Sequence, residues 1–422
     1  MNRIGMILLG MLMVFLVVGC SSEESANSED GTRTIDFLTE DRPDQGESKI
    51  LLDLDEEIPE TELETETIEH ANIMQQISLL SASNDLPELF KYESAQLEEL
   101  IDNGQVINME KTFKDLGIYD ELTPGAVDLL TQLSGDRGLY ALPVELNIEG
   151  FWYNKKMFEE NNLEVPTTWE EMMEVSAKLS EAGIQPFSVA GKEKWPITRF
   201  LNGYVIRYYG PDVMERVKKG ELSVTDEGFV EGAQLVQEMN EKGYFGKGTN
   251  TIDADTALDI FLQGEAAMYY SGSWDLANFN NPERNQIGLE NVGMFNIPLV
   301  EGGKGTLDDW SMNAGLTLSA SAEKYDEQMG EWMKQIFSEY GDKAMEEGII
   351  TGFKASEIPD DISQLTKETM DKINSVENAA LWFEARMDAE SKALAEDNAQ
   401  LLLTGQMSPE EYLEALKSQL EK

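Results

Sequence analysis

The sequence predicts an α/β protein of two or three domains, and three observations predict it. Short β-branched and aromatic runs alternate with segments of helical period along most of the chain, the pattern of strands joined by crossover helices in parallel sheets. At 422 residues the chain is long enough for two or three units of ~100 to 200 residues, each with a core. Hydrophobic residues make up 41% of it, so its acidity belongs to a solvated surface on an ordinary core and not to a disordered chain.

Taken in order, the chain begins with Arg3, an apolar run from Ile4 to Val18, and Gly19 immediately before Cys20, the single cysteine. That is the pattern of a secretory signal, and the apolar run is shorter than the ~20 residues needed to span a bilayer. Its ending, Val17-Val18-Gly19-Cys20, resembles the lipobox of bacterial lipoproteins. The resemblance implies a signal peptide over 1–19, cleavage before Cys20, and a lipid on that thiol. No thiol is then left for disulfides, metal clusters or a nucleophile. Residues 21–31, small, polar and acidic, read as a flexible tether, so that 20–31 is the lipidated linker and folding begins near Thr32.

Thr34 to Leu38 reads as a buried first strand, Leu63 to Ile68 as a second, and Ile73 to Leu80 as a helix. Tyr140 to Pro143 and Phe151 to Tyr153 read as extended chain. Pro166-Thr167-Thr168-Trp169-Glu170-Glu171 opens a helix, with a threonine cap and acids in the first turn. Helical periods recur at 227–242, 255–263, 323–340 and 376–403, with strands at Val292 to Pro298 and Leu316 to Leu318. Ser408-Pro409-Glu410-Glu411 caps a final helix with proline at its first position.

Charge excludes some partners. Lys and Arg total 32 against 81 Asp and Glu, a net charge of −49, which repels nucleic acid and leaves no basic patch for phosphates. Chemistry is thinly represented. His70 is the one histidine, at a strand-to-helix junction, so no histidine triad is expected. Asp253-Ala254-Asp255 and Asp53-Leu54-Asp55 lack the glycine and last glutamate of a calcium loop, and Gly302-Gly303-Lys304-Gly305 lacks P-loop spacing. No metal and no cofactor is expected.

Three segments together resemble the family-one extracellular solute-binding proteins of ABC importers, the group that contains maltose-binding protein. They are Gly138-Leu-Tyr-Ala-Leu-Pro-Val-Glu with Phe151-Trp-Tyr-Asn-Lys-Lys-Met-Phe and Pro166-Thr-Thr-Trp-Glu-Glu; Phe261-Leu-Gln-Gly-Glu-Ala-Ala-Met leading into Ser271-Gly-Ser-Trp-Asp; and Val292-Gly-Met-Phe-Asn-Ile-Pro. The resemblance spans roughly residues 34 to 420. It implies the type II periplasmic-binding-protein fold, two α/β lobes around a central ligand cleft. The first lobe is expected over 32–146 plus 293–340 and the second over 147–292 plus 341–422, with crossings near Glu145 to Gly150, Val292 to Pro298 and Ser338 to Glu347. Asp41 to Glu60 departs from the family, being acidic and loosely patterned where a regular first helix is usual.

Sugars present apolar C–H faces rimmed by hydroxyls, so their sites need flat aromatic platforms with carboxylates and amides. Of seven tryptophans, Trp274 is the leading ligand contact, because Gly272 and Asp275 around it match the family's glycine-x-tryptophan turn at the cleft. Asp275 is a candidate with it. Trp195 matches a second-lobe aromatic, Trp382 one on a helix of that lobe, and Trp310 follows a glycine loop without an obvious packing reason. Trp152, Trp169 and Trp332 are expected in the core. Among carboxylates, Glu145 lies at the first crossing, Asp85 and Glu93 flank the third strand, and Asp41 with Arg42 follows the first.

These residues point to an extracytoplasmic, lipid-anchored protein on the outer face of a Gram-positive cell membrane. It is expected to be monomeric, to close by hinge motion on a carbohydrate, an oligosaccharide in view of its several candidate tryptophans, and to deliver it to the importer's membrane subunits. Other readings are a non-sugar polar solute such as a polyamine or sugar phosphate, and a secreted glycoside hydrolase, whose two carboxyl groups would stand either ~5 to 5.5 Å or ~6.5 to 9.5 Å apart.

Overall fold

The computed structural model describes residues 32–40, 46–69, 72–135, 137–376 and 379–422. Cys20, Asp41, Arg42 and His70 lie outside the described residues, as do the signal and the tether. The strands are β1 (Arg33–Glu40), β2 (Thr61–Ile68), β3 (Leu89–Glu93), β4 (Asn147–Asn154), β5 (Gln185–Ser188), β6 (Ala266–Gly272), β7 (Val292–Phe295), β8 (Trp310–Asn313), β9 (Leu316–Ala320) and β10 (Ala379–Ala380).

They form two sheets. The first runs β2-β1-β3-β9 and the second β10-β8-β4-β6-β5, with β7 also on β4. Alternation of side chains puts opposite faces of each strand into separate cores. In β1, Ile35 and Phe37 enter one apolar cluster and Leu38 another. In β4, Phe151 and Trp152 divide in the same way between two clusters of the second lobe. Both sheets are therefore covered on both faces, which is the α/β architecture the sequence predicts.

Parallel pairing is only part of the picture. β1 pairs with β2 and β3 in parallel, but β9 joins β3 antiparallel, and β4 takes β6, β7 and β8 all antiparallel. β9, which arrives from the second lobe, enters the first sheet from the opposite end, whereas β10, reached on the way back, pairs with β8 in parallel.

The crossings fall elsewhere than expected in two of three places. The first agrees, since the chain enters β4 at Asn147. The segment Val292 to Pro298 does not return to the first lobe, because β7 lies on β4 and Phe295 stacks on Phe151 with ring centroids 5.4 Å apart. The return comes between β8 and β9, at Ala314 and Gly315. Ser338 to Glu347 likewise stays within and at the end of the helix Glu327–Glu346. The chain then runs beside the first crossing, with Leu146 N donating to Ile350 O at 2.8 Å and Gly352 N to Pro143 O at 2.9 Å, and reaches the second lobe by the helix Gln364–Ser375.

Local chemistry explains the elements. Thr168 accepts from Glu171 N while Glu171 reaches back, a capping box that starts the helix Trp169–Glu181, and Ser408 does the same for Pro409–Leu420. The acidic stretch after residue 45 does carry a helix, Gly46–Asp55, in which Ile50, Leu51 and Leu54 share the buried face. The 376–403 period is broken: only Ala389–Leu403 is helical, and Trp382 stands on a turn after β10. Trp152, Trp169 and Trp332 are buried, the last donating from Nε1 to Asp55 Oδ1 at 2.7 Å.

Candidate functional site between the lobes

Two turns bring aromatic rings to the second-lobe side of the cleft. β6 ends at Gly272, and the chain coils through Ser273–Asp275. A Cβ on Gly272 would stand 2.1 Å from the Trp274 ring, so only glycine lets the indole fold back across the strand end. Ser273 Oγ, one residue before the tryptophan, donates to Asn147 Oδ1 at 2.8 Å, fastening this turn to the first crossing. Asp275 accepts from Ser271 Oγ at 2.6 Å and from Asn278 at 3.3 Å. Burial first of all pushes its carboxyl up to about 6. The expected ligand contact is thus corrected: Asp275 is 6% exposed, its oxygens occupied in holding the turn that presents Trp274.

Trp195 opens the helix Trp195–Tyr209. Lys194 before it adopts φ +67°, a backbone that costs a non-glycine residue on the order of 1–3 kcal/mol, and its ammonium pairs with Asp397. The strained turn sets the direction of the indole. Trp195 and Trp274 meet edge to face at 5.8 Å and 75°, and both stay partly exposed. Such a corner offers two apolar faces to a flat solute.

Beneath the corner lies a charged network. Arg199 sits one helical turn after Trp195, its guanidinium carbon 5.3 Å from that ring. Its Nε donates to Glu149 at 2.8 Å and its NH1 to Glu384 at 2.6 Å. Thr198 also donates to Glu384, Tyr270 to Glu149 at 3.2 Å, and Asn313 to Glu149 at 2.7 Å. Burial alone would lower the proton affinity of Arg199, but Glu149 and Glu384 outweigh it and the net displacement is upward. Because Glu149 is on β4 and Asn313 ends β8, the network joins two crossings to the aromatic corner.

The first lobe meets this surface directly. Glu93, at the carboxyl end of β3, stands 2.5 Å from Lys392 Nζ. Gln96 donates to Met387 O at 2.8 Å, Arg386 to Gln132 O at 2.5 Å, and Lys218 pairs with Glu98 at 2.7 Å. These contacts hold the two lobes face to face.

The other predicted residues divide. Glu145 lies at the crossing, accepting from Asn147 at 3.0 Å, and packs so closely on Gly315 (φ +54°) that a Cβ there would sit 1.4 Å from its Oε1. Asp85 is exposed but precedes β3, so the whole strand separates it from Glu93, and the structure does not bring it to the cleft. Trp310 and Trp382 are 9% and 8% exposed in one cluster with Met312 and Leu381. The ring of Trp310 has a packing reason after all, since it lies against Gly150.

Sequence reasoning missed Arg199, Glu149, Glu384 and Lys392. One signal was available: an arginine four residues after Trp195 in the apolar run Phe200-Leu201 needs a buried acid. Among the described residues no group of three or more His, Cys, Asp or Glu stands ready for a metal ion, and no helix is long and apolar enough to cross a membrane. Depressions on the outer first lobe, beside Asn84 and Gln105 and between Ile58 and Gln335, carry no aromatic ring.

Comparison with known proteins agrees with this fold. The family model described as bacterial extracellular solute-binding protein matches residues 42–338. The multiple sugar-binding protein of Streptococcus mutans is 23% identical over 332 residues, covering 76% of this chain and 75% of that one. An uncharacterised ABC transporter extracellular-binding protein of Pyrococcus horikoshii is 25% identical over 258 residues, 57% of this chain, and the match spans only 56% of the relative's length. A solved chitin oligosaccharide binding protein superposes with a TM-score of 0.81 over 92% of this chain and 98% of its own, at 20% identity, a likeness of fold.

Proposed function

We propose that this chain, which belongs to the bacterial extracellular solute-binding proteins, is the extracytoplasmic receptor of an ABC importer and carries a carbohydrate to the membrane permease. The observation that carries this reading is the open corner of Trp195 and Trp274 above a floor of buried carboxylates, at the place where the lobes meet. The corner supplies the stacking faces a pyranose ring needs, and Glu93 and Glu145 at the rim supply acceptors for its hydroxyls. Trp310 and Trp382, packed with Met312 and Leu381, back these contacts, and Asp41 and Arg42, which follow β1 in the sequence, are proposed as further ligand contacts. Two platforms at one corner favour more than one sugar ring.

The lobes act as 32–146 with 314–353 and 147–313 with 364–422, closing as rigid bodies about the paired crossings. Ligand drives closure only through its preference for the closed form. Cys20 anchors the monomer by its lipid to the outer face of a Gram-positive membrane, with residues 21–31 as the tether.

A thermal-shift screen of residues 32–422 against mono- and oligosaccharides, polyols and polyamines, followed by calorimetry, tests the cargo. A neutral oligosaccharide recovered unchanged is expected, and its hydrolysis or silence from every sugar would end the proposal. Trp274→Ala should weaken that oligosaccharide at least tenfold, ~1.4 kcal/mol; an unchanged dissociation constant removes Trp274 from the site.

A further inference from the structure

Helix Ala389–Leu403 carries Lys392 and Glu396 one turn apart, on one face. The carboxylates around Glu396 are all held: Glu93 by Lys392, and Glu149 and Glu384 by Arg199. Glu396, half-buried, accepts no hydrogen bond and makes no ion pair among the described residues. Every element packed about it contributes a charged or titratable group. Lys392 faces it from its own helix, Glu93 from β3 of the opposite lobe, Glu384 from the turn after β10, Arg199 from the helix below Trp195, and Tyr412 from the C-terminal helix. Among the described residues the floor beneath the aromatic corner therefore holds Glu93, Glu149, Glu384 and Glu396 against Arg199 and Lys392.

We propose that Glu396 is a ligand-contacting acceptor, and that it restricts the cargo to uncharged sugars presenting a pair of hydroxyls there, excluding sugars that bear a uronate or phosphate. The inference rests on the carbohydrate reading above. A half-buried carboxylate that no protein donor occupies is available to a ligand donor, and a sugar hydroxyl pair matches it. An anionic group 4 Å from Glu396 would meet repulsion on the order of a thousandfold in affinity. Burial, with Glu384 next, pushes the Glu396 carboxyl up to about 7, so this exclusion should be strong at pH 8 and relaxed at pH 6, while a uronate stays ionised at both.

The experiment is calorimetry of the soluble chain and of Glu396→Gln at pH 6 and pH 8. The probes are galactotriose beside trigalacturonate, xylotriose beside glucuronyl-xylotriose, and maltotriose beside its 6-phosphate. Wild type should bind at least one neutral member and discriminate against its acid counterpart at least a hundredfold at pH 8, and less at pH 6. Glu396→Gln should weaken the neutral sugar about tenfold and remove the pH dependence of discrimination. Glu396→Asp, which keeps the charge, should retain the exclusion and serves if the glutamine variant does not fold. An acid member that binds as well as its neutral partner overturns the inference, as does a glutamine variant within twofold of wild type on both. Silence from every sugar instead overturns the carbohydrate reading, and this inference falls with it.

Discussion

Each lobe buries a cation between two carboxylates near the cleft, Lys91 in the first and Arg199 in the second, and the two are held differently. In the first lobe Lys91 is fully buried, in contact with Glu47 and 3.6 Å from Glu40, whose side chains are 14% and 29% exposed. In the second lobe Arg199 bridges Glu149 and Glu384, 0% and 1% exposed. Burial lowers the proton affinity of Lys91 despite Glu40 and Glu145, whereas the two carboxylates on Arg199 raise its own. A planar fork satisfies two dry acids at once, and a point charge beside half-wet ones does not gain enough to offset its desolvation. The second network is thus a rigid joint, the first an adjustable one.

Removing the arginine should break this contrast most visibly. Arg199→Met leaves Glu149 and Glu384 buried and unpaired, and denaturant unfolding should show a loss of about 3–5 kcal/mol; a loss under about 1 kcal/mol would mean that water reaches those acids. Asp275 sharpens the comparison, because it is a buried carboxyl held by hydrogen bonds and not by a fork. Burial pushes its carboxyl up from the ordinary aspartate range to about 6, so its contribution is complete below that ordinary range and disappears as pH rises through 6. Between pH 4 and pH 7.5 the wild type should therefore lose on the order of 2–3 kcal/mol relative to Asp275→Asn. Parallel stability curves for the two proteins would contradict this. Lys91→Met should have the smallest effect, about 1–2 kcal/mol, since Glu47 and Glu40 can turn to water; a loss matching that of Arg199→Met would erase the distinction between the lobes.

Much of the fold was legible. Capping residues and alternation located Trp169–Glu181, Pro409–Leu420, β1 and β2 because those signals are local. Gly46–Asp55 was hidden because acids at Glu47, Asp53 and Asp55 surround its apolar stripe. The crossings were misplaced because β7 and β9 look alike in sequence, and only pairing with β4 or β3 tells them apart.

The site was legible where a small residue and an aromatic stand together, as at Gly272 and Trp274. Asp85 was avoidable: in parallel sheets ligands lie beyond the carboxyl ends of strands, and Asp85 precedes its strand where Glu93 ends it. Glu396 was not legible, since one acid among 81 on a polar helix face looks like solvent-facing surface until the absence of a partner is seen.

The first sheet ends on β2, whose exposed Glu62, Glu64 and Glu66 line up on one side of the ribbon. An open edge invites any extended peptide to dock and lengthen the sheet. Here a visiting copy would set glutamate beside glutamate at every second position, with nothing between them to neutralise the charge. Wherever copies of this chain are concentrated, such a border discourages them from annealing edge to edge into fibrils.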